Sequence, residues 1–154
     1  MANSIHVHYR ESEILAADPL KLVQMMYRAT LDSVAAARRH VRAGEIAERN
    51  FAIMRAWNIV NELMQSLDHA AGGELSRNLG GLYAYIQSRL LEANAQQIEP
   101  PLEEVEKLLS TLLEGWTSAA LKTAETQSAA NTTGTDPGAP APEAEEYVPV
   151  NYAY

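Results

Sequence analysis

Four histidines, a run of carboxylates and two glycine pairs are where chemistry would begin in this chain, and none has the spacing a reaction needs. His6 and His8 face the same way in an extended segment, but two ligands fall short of a metal site. His40, beside Arg39, Val41 and Arg42, has the setting of no activated phosphate carrier, and His69 stands alone. No helix carries a Glu-x-x-His pair, so a di-metal centre of the ferritin kind lacks its ligands. Glu103, Glu104 and Glu106 fall in the first turn of a helix, where the positive end of the helix dipole favours carboxylates without any acid–base role. Gly72-Gly73 and Gly80-Gly81 do not follow strands, so neither is a phosphate loop. The absence of Cys removes disulfides and thiolate sites together. The expectation is a protein with no catalytic residue, no metal and no cofactor.

Charge narrows the partners. With 12 Lys+Arg against 20 Asp+Glu the net charge is −8, and Arg38, Arg39 and Arg42 form too small a basic patch for nucleic acid. No run approaches the ~18 apolar residues that span a membrane, so membrane insertion is not expected. Met1 to Arg10 shows neither the basic start nor the apolar run of a secretory signal, which points to the cytoplasm.

The elements that would position any site are helices. Asp18-Pro19 opens the first, with Asp as N-cap and Pro at the first helical position. Its stripe is Val23, Tyr27, Thr30, Val34, Ala37 and Val41, and Gly44 ends it. The second runs from about Glu45 to His69 on Ile53, Ala56, Val60, Leu63 and Leu67, with Ala70 to Gly73 as its stop. The third runs from about Glu74 to Asn94 on Leu75, Leu79, Leu82, Ile86 and Leu90. Within it, Gly80-Gly81 signals close helix contact or a local bend. Pro100-Pro101 opens the fourth, on Leu102, Val105, Leu109, Leu112 and Trp116. Short breaks favour antiparallel neighbours. The spacing therefore predicts an all-α, antiparallel up-down four-helix bundle over residues 18–122, behind an N-terminal arm over 1–17. The arm alternates Ile5, Val7 and Tyr9 with polar residues. Residues 123–154, rich in Ser, Thr, Ala, Gly, Pro and Glu, read as a disordered tail, closed by Tyr147, Val148, Val150, Tyr152 and Tyr154.

A bundle that only has to fold keeps its outer faces polar; this one does not. At ~100° per residue, Phe51 lies opposite its stripe and Met54 roughly 120° from the stripe centre, with Trp57 and Met64 flanking on the Met54 side. Met25 is far off the first stripe and Leu22 at its margin. On the third helix Leu91 faces outward, with Tyr83 and Tyr85 at the two edges. For Trp57, Leu22 and Tyr83, packing at the core edge explains the position; Phe51, Met54 and Leu91 lie beyond easy reach of the core. Met suits a surface that accepts a partner helix.

These residues also fall into an ordered pattern. Tyr9 precedes Pro19-Leu20-Lys21-Leu22-Val23-Gln24-Met25-Met26-Tyr27; Ile59-Val60-Asn61-Glu62-Leu63, Leu67-Asp68 and Gly72-Gly73-Glu74 follow. Then come Leu79-Gly80-Gly81-Leu82-Tyr83-Ala84-Tyr85, Arg89-Leu90-Leu91-Glu92-Ala93-Asn94, Glu103-Glu104-Val105 and Trp116. In order and spacing the chain resembles the FliS family of flagellar secretion chaperones, over roughly Tyr9 to Trp116. It departs at Tyr27-Arg28-Ala29, where many members read Tyr-Asp-Gly, and in its Pro-rich tail.

The resemblance implies a cytoplasmic, non-enzymatic helical bundle. It would hold the C-terminal segment of flagellin along apolar grooves, block premature polymerisation and deliver the subunit to the flagellar type III export apparatus. It further implies contact with the export gate when loaded and, in some members, with an anti-sigma factor, and an N-terminal arm whose Tyr, here Tyr9, covers apolar surface until flagellin binds. The expected partner-binding residues are Tyr9, Leu22, Met25, Phe51, Met54, Trp57, Met64, Tyr85 and Leu91, on a monomer or weak homodimer. The alternative is a structural bundle that self-associates through the same apolar face.

Overall fold

The computed structural model describes residues 18–132, and the described residues form four helices: α1 (Pro19–Ala43), α2 (Ile46–Gln65), α3 (His69–Gln96) and α4 (Pro100–Thr132). The expected arm, with Tyr9, and the tyrosine-rich end lie outside them. Both caps of α1 have a local cause. The Asp18 carboxylate accepts from the Leu20 amide at 3.2 Å, with Pro19 at the first helical position. Gly44 closes α1 at φ 71°, a left-handed conformation that costs a residue with a Cβ roughly 1–2 kcal/mol.

α1 and α2 pack together, α2 packs on α3, α3 on α4, and α4 returns to α1, so the ring closes. Cross-contacts fix the directions. Gln24 reaches the Trp116 carbonyl while Arg38 reaches Glu99, which makes α1 and α4 antiparallel. Arg49 bonds Asn94 near the start of α2 and the end of α3, so that pair is antiparallel too. The up-down bundle expected from the short breaks is the fold observed.

Its core is the set of stripes. Tyr27, Val34 and Ala37 of α1, Ile53, Ala56, Val60 and Leu63 of α2, Leu79, Ile86 and Leu90 of α3, and Leu102, Val105 and Leu109 of α4 are buried. Tyr83, expected at a core edge, is also buried, and Trp57, Met64, Leu112 and Trp116 pack partly buried against this cluster. Thr30 and Ser33 satisfy their buried hydroxyls on the carbonyls four residues back.

Four local expectations change. The break between α2 and α3 comes earlier than the glycines, because the Asp68 carboxylate accepts from the Ala70 and Ala71 amides and caps a new helix there. Of the close contact or bend expected at Gly80-Gly81, no bend forms, since α3 runs unbroken there and a Cβ on Gly80 would meet the Leu67 side chain at 3.6 Å; the helical path breaks instead at Gly73, with φ 52°. Leu75 keeps its register but is 64% exposed, because α3 and α4 do not close around it. Finally α4 continues ten residues past the expected boundary at 122, to Thr132. Ala119, Ala120, Leu121, Lys122, Ala124, Glu125, Gln127, Ala129 and Ala130 are strong helix formers, and no Gly or Pro interrupts them; propensity carries a helix where no core stripe demands one.

Candidate interaction surface

Along α2, Asn50, Met54, Trp57, Asn61 and Met64 recur at four–three spacing and therefore share one edge. That edge borders α3. Asn94 Nδ2 donates to Asn50 Oδ1 at 2.8 Å, and the buried Arg49 Nε donates to Asn94 Oδ1 at 3.1 Å. On α3, Ala84, Gln87, Leu91 and Asn94 share the facing edge by the same spacing. Met54, Trp57 and Met64 are half-buried, Leu91 is 45% exposed, and the Gln87 amide nitrogen is buried without an acceptor. Four of the nine expected residues, Met54, Trp57, Met64 and Leu91, thus lie along the α2–α3 edge by helical spacing.

The others divide among further faces. Leu22 and Met25 line a shallow hollow with Met26, Ala29 and Ile59, between α1 and α2. Phe51, 73% exposed, lies at the far end of the same α1–α2 groove, beside Asp32, His40, Glu48 and Arg55. Tyr85 faces α4, where its hydroxyl donates to Glu104 at 2.5 Å; that bond raises the phenol's pKa and lowers the carboxyl's. Sequence reasoning passed over Ile59, which lies off its helix's stripe, and the exposure of Leu75, for which the Gly72-Gly73 pair just before it was the available signal.

The polar side chains answer one another. Arg38 of α1 pairs with Glu99, Glu103 and Glu106, and Arg42 with Glu99; hydrogen bonds from Arg42 and Arg38 hold the Glu99 carboxyl below its ordinary pKa. Arg89 pairs with Glu92 and Glu104, and His40 Nδ1 lies 2.5 Å from Glu45. Arg38 of the arginine patch therefore meets Glu103 and Glu106 of the helix-dipole carboxylates, tying α1 to the start of α4, whereas Glu104 turns to α3. Inside, Tyr27 and Tyr83 share a 2.5 Å hydroxyl–hydroxyl bond, and Trp116 Nε1 donates to Tyr27 at 3.0 Å. Burial raises the pKa of both phenols.

Among the described residues no group of three or more His, Asp or Glu is placed to hold a metal ion. None of their helices is long and apolar enough to cross a membrane. Near the start of α3 the buried Ser76 Oγ lies 3.1 Å from His69 Nδ1. What the described surface presents is apolar side chains along the helix seams beside paired charges, a combination suited to docking a partner chain.

The comparisons with known proteins follow that geometry. The family model described as flagellar protein FliS matches residues 1–123. The flagellar secretion chaperone FliS of Salmonella typhimurium is 36% identical over 107 residues, covering 69% of this chain and 79% of the relative. FliSB of Pseudomonas aeruginosa, also named a flagellar secretion chaperone, is 36% identical over 106 residues, covering 69% and 84%. FliS of Escherichia coli K12 is 31% identical over 112 residues, covering 72% and 82%.

Proposed function

This chain belongs to the FliS family of flagellar secretion chaperones, and from that premise we propose that it binds the C-terminal segment of flagellin in the cytoplasm. Binding keeps the subunit from polymerising early and presents it, loaded, to the gate of the type III export apparatus. The observation that supports this reading is the α2–α3 edge, where Met54, Trp57 and Met64 of α2 and Leu91 of α3 bring apolar side chains to the surface. An amphipathic client helix lays its apolar face there, meeting these side chains at i, i+3, i+4 and i+7 intervals. Leu22, Met25 and Phe51, on the other side of α2, receive client chain that continues past the first groove. Tyr85 flanks from α3, and Tyr9, in the arm, is displaced. A contact with an anti-sigma factor rests on the family resemblance alone.

Calorimetric titration with a flagellin C-terminal fragment, at several temperatures, tests this. The expected result is one-to-one binding with a negative heat-capacity change, because the client orders as it buries apolar surface. Affinity should depend weakly on salt, since the surface is apolar and the chain net acidic. Absence of heat and of any shift in sedimentation on mixing would sink the reading, as would a steep loss of affinity in moderate salt.

A further inference from the structure

We propose that the last eight residues, Tyr147 to Tyr154, dock as an extended segment in the apolar cleft between α3 and α4 of their own chain. The cleft holds about 270 Å³ and is lined by Leu75, Leu79, Leu112, Trp116 and Ala119, with no charged side chain among its walls. Past Leu75, Leu79 and Trp116 it opens into a second hollow of about 350 Å³ at the α2–α3 turn. It is not the groove assigned to flagellin. No described element covers it, and it leaves Leu75 64% exposed, a large apolar residue over a ready-made concavity.

The sequence supplies an occupant. Tyr147 to Tyr154 contains no charged residue, whereas the arm mixes Arg10, Glu11 and Glu13 with its apolar residues. Val148, Val150, Tyr152 and Tyr154 alternate, so an extended backbone puts all four on one side, spanning about 20 Å. Pro149 keeps Val148 out of the helical region, which favours that extended path. A Tyr enters such a cleft with its ring inside and its hydroxyl at the wet rim.

Chain length permits the return. Helix α4 ends 13 residues beyond Ala119, about 20 Å along its axis at 1.5 Å per residue. The 14 residues between Thr132 and Tyr147 have, as a random chain, a root-mean-square span of about 20 Å. A tether matched to its span gives an effective concentration on the order of millimolar. Even a weak contact is then populated. The arm leaves from α1, whose Val23 lines the adjoining hollow but which contributes no residue to the cleft itself, so charge sets the two candidates apart.

The test is a ¹⁵N NMR comparison of the full chain with its V150S/Y152S/Y154S variant, which leaves the bundle untouched. The amides of Leu75, Leu79 and Ala119 and the indole N–H of Trp116 should shift, while Phe51 and its neighbours stay in place. Adding a synthetic Tyr147–Tyr154 peptide to the variant should move those signals back toward the original positions, whatever the salt. Unchanged cleft signals would overturn the proposal. It would equally be overturned if the signals answered an I5S/V7S/Y9S variant instead, which would make the arm the occupant. Shifts that fade on dilution of the full chain would assign the cleft to a second copy and overturn it as well.

Discussion

The Tyr27 hydroxyl joins three helices, because it takes the Trp116 indole proton from α4 and shares a proton with Tyr83 of α3. Removing it leaves the buried Tyr83 and the half-buried Trp116 unsatisfied; removing the Tyr83 hydroxyl leaves Tyr27 still bonded to Trp116. Unsatisfied buried groups cost about 1–3 kcal/mol each. Y27F should therefore lower unfolding free energy by about 2 kcal/mol or more and Y83F by about 1, with the double variant well short of their sum. Urea denaturation of the three variants measures this, and equal losses for the two single variants would contradict the geometry. The same knot sets an alkaline limit. Both folded phenols have pKa values raised above the unfolded ~10, by burial first, so native Tyr holds a proton that the unfolded chain has shed. This contribution is complete below pH ~10 and falls as pH rises beyond it, and Y83F should make that alkaline decline shallower.

At the scale of elements, stability turns on how each helix stops. Gly44 and Gln97 occupy the same left-handed capping position, at φ 71° and 57°, after α1 and α3. Only the first is a glycine. G44A should destabilise by about 1 kcal/mol, and Q97G should stabilise by about 0.5–1 kcal/mol, because left-handed backbone penalises a Cβ. Matching thermal melts decide it; a loss for both would mean that the Gln97 side chain matters more than its backbone. Just beyond, Glu99 receives Arg38 and Arg42 from α1 and titrates below its unfolded value. Its contribution is present above pH ~4.5 and lost as pH falls below that, so E99Q should flatten the acid limb of stability while leaving the alkaline limb alone. The helices themselves were legible because periodicity and caps agree: Asp18, Pro19 and Gly44 each do locally what the stripe requires globally. Before α3 one stop was read where there are two: Asp68 caps a short first segment, and the expected break at the glycines follows as the kink at Gly73. The extension of α4 was missed because alanine-rich sequence makes helix without a stripe, and the stripe was the signal being read.

For the whole molecule, off-stripe position told which side chains the core could not absorb, but not which of them look the same way. Phe51 and Leu91 are both outward, yet α2 stands between them as a ridge, with the α1–α2 groove holding Phe51, Leu22 and Met25 on one side and the α2–α3 groove on the other. Helix rotation fixes a residue's angle on its own helix; only the packing of neighbours says which groove that angle enters. A straight client helix fills one groove, so a client that meets all these residues must turn over α2. This has a measurable consequence. A short flagellin fragment, one helix long, should lose about tenfold or more in affinity on L91D and almost nothing on F51D, since burying one large apolar side chain contributes about 1.5–3 kcal/mol. A longer fragment should lose affinity on both, and the two losses should add, because the sites share no contact. If F51D weakened the short fragment as much as L91D does, the first helix would sit on the α1–α2 groove rather than the α2–α3 groove. If neither weakened the long fragment, the exposed apolar residues flanking α2 would belong to another partner.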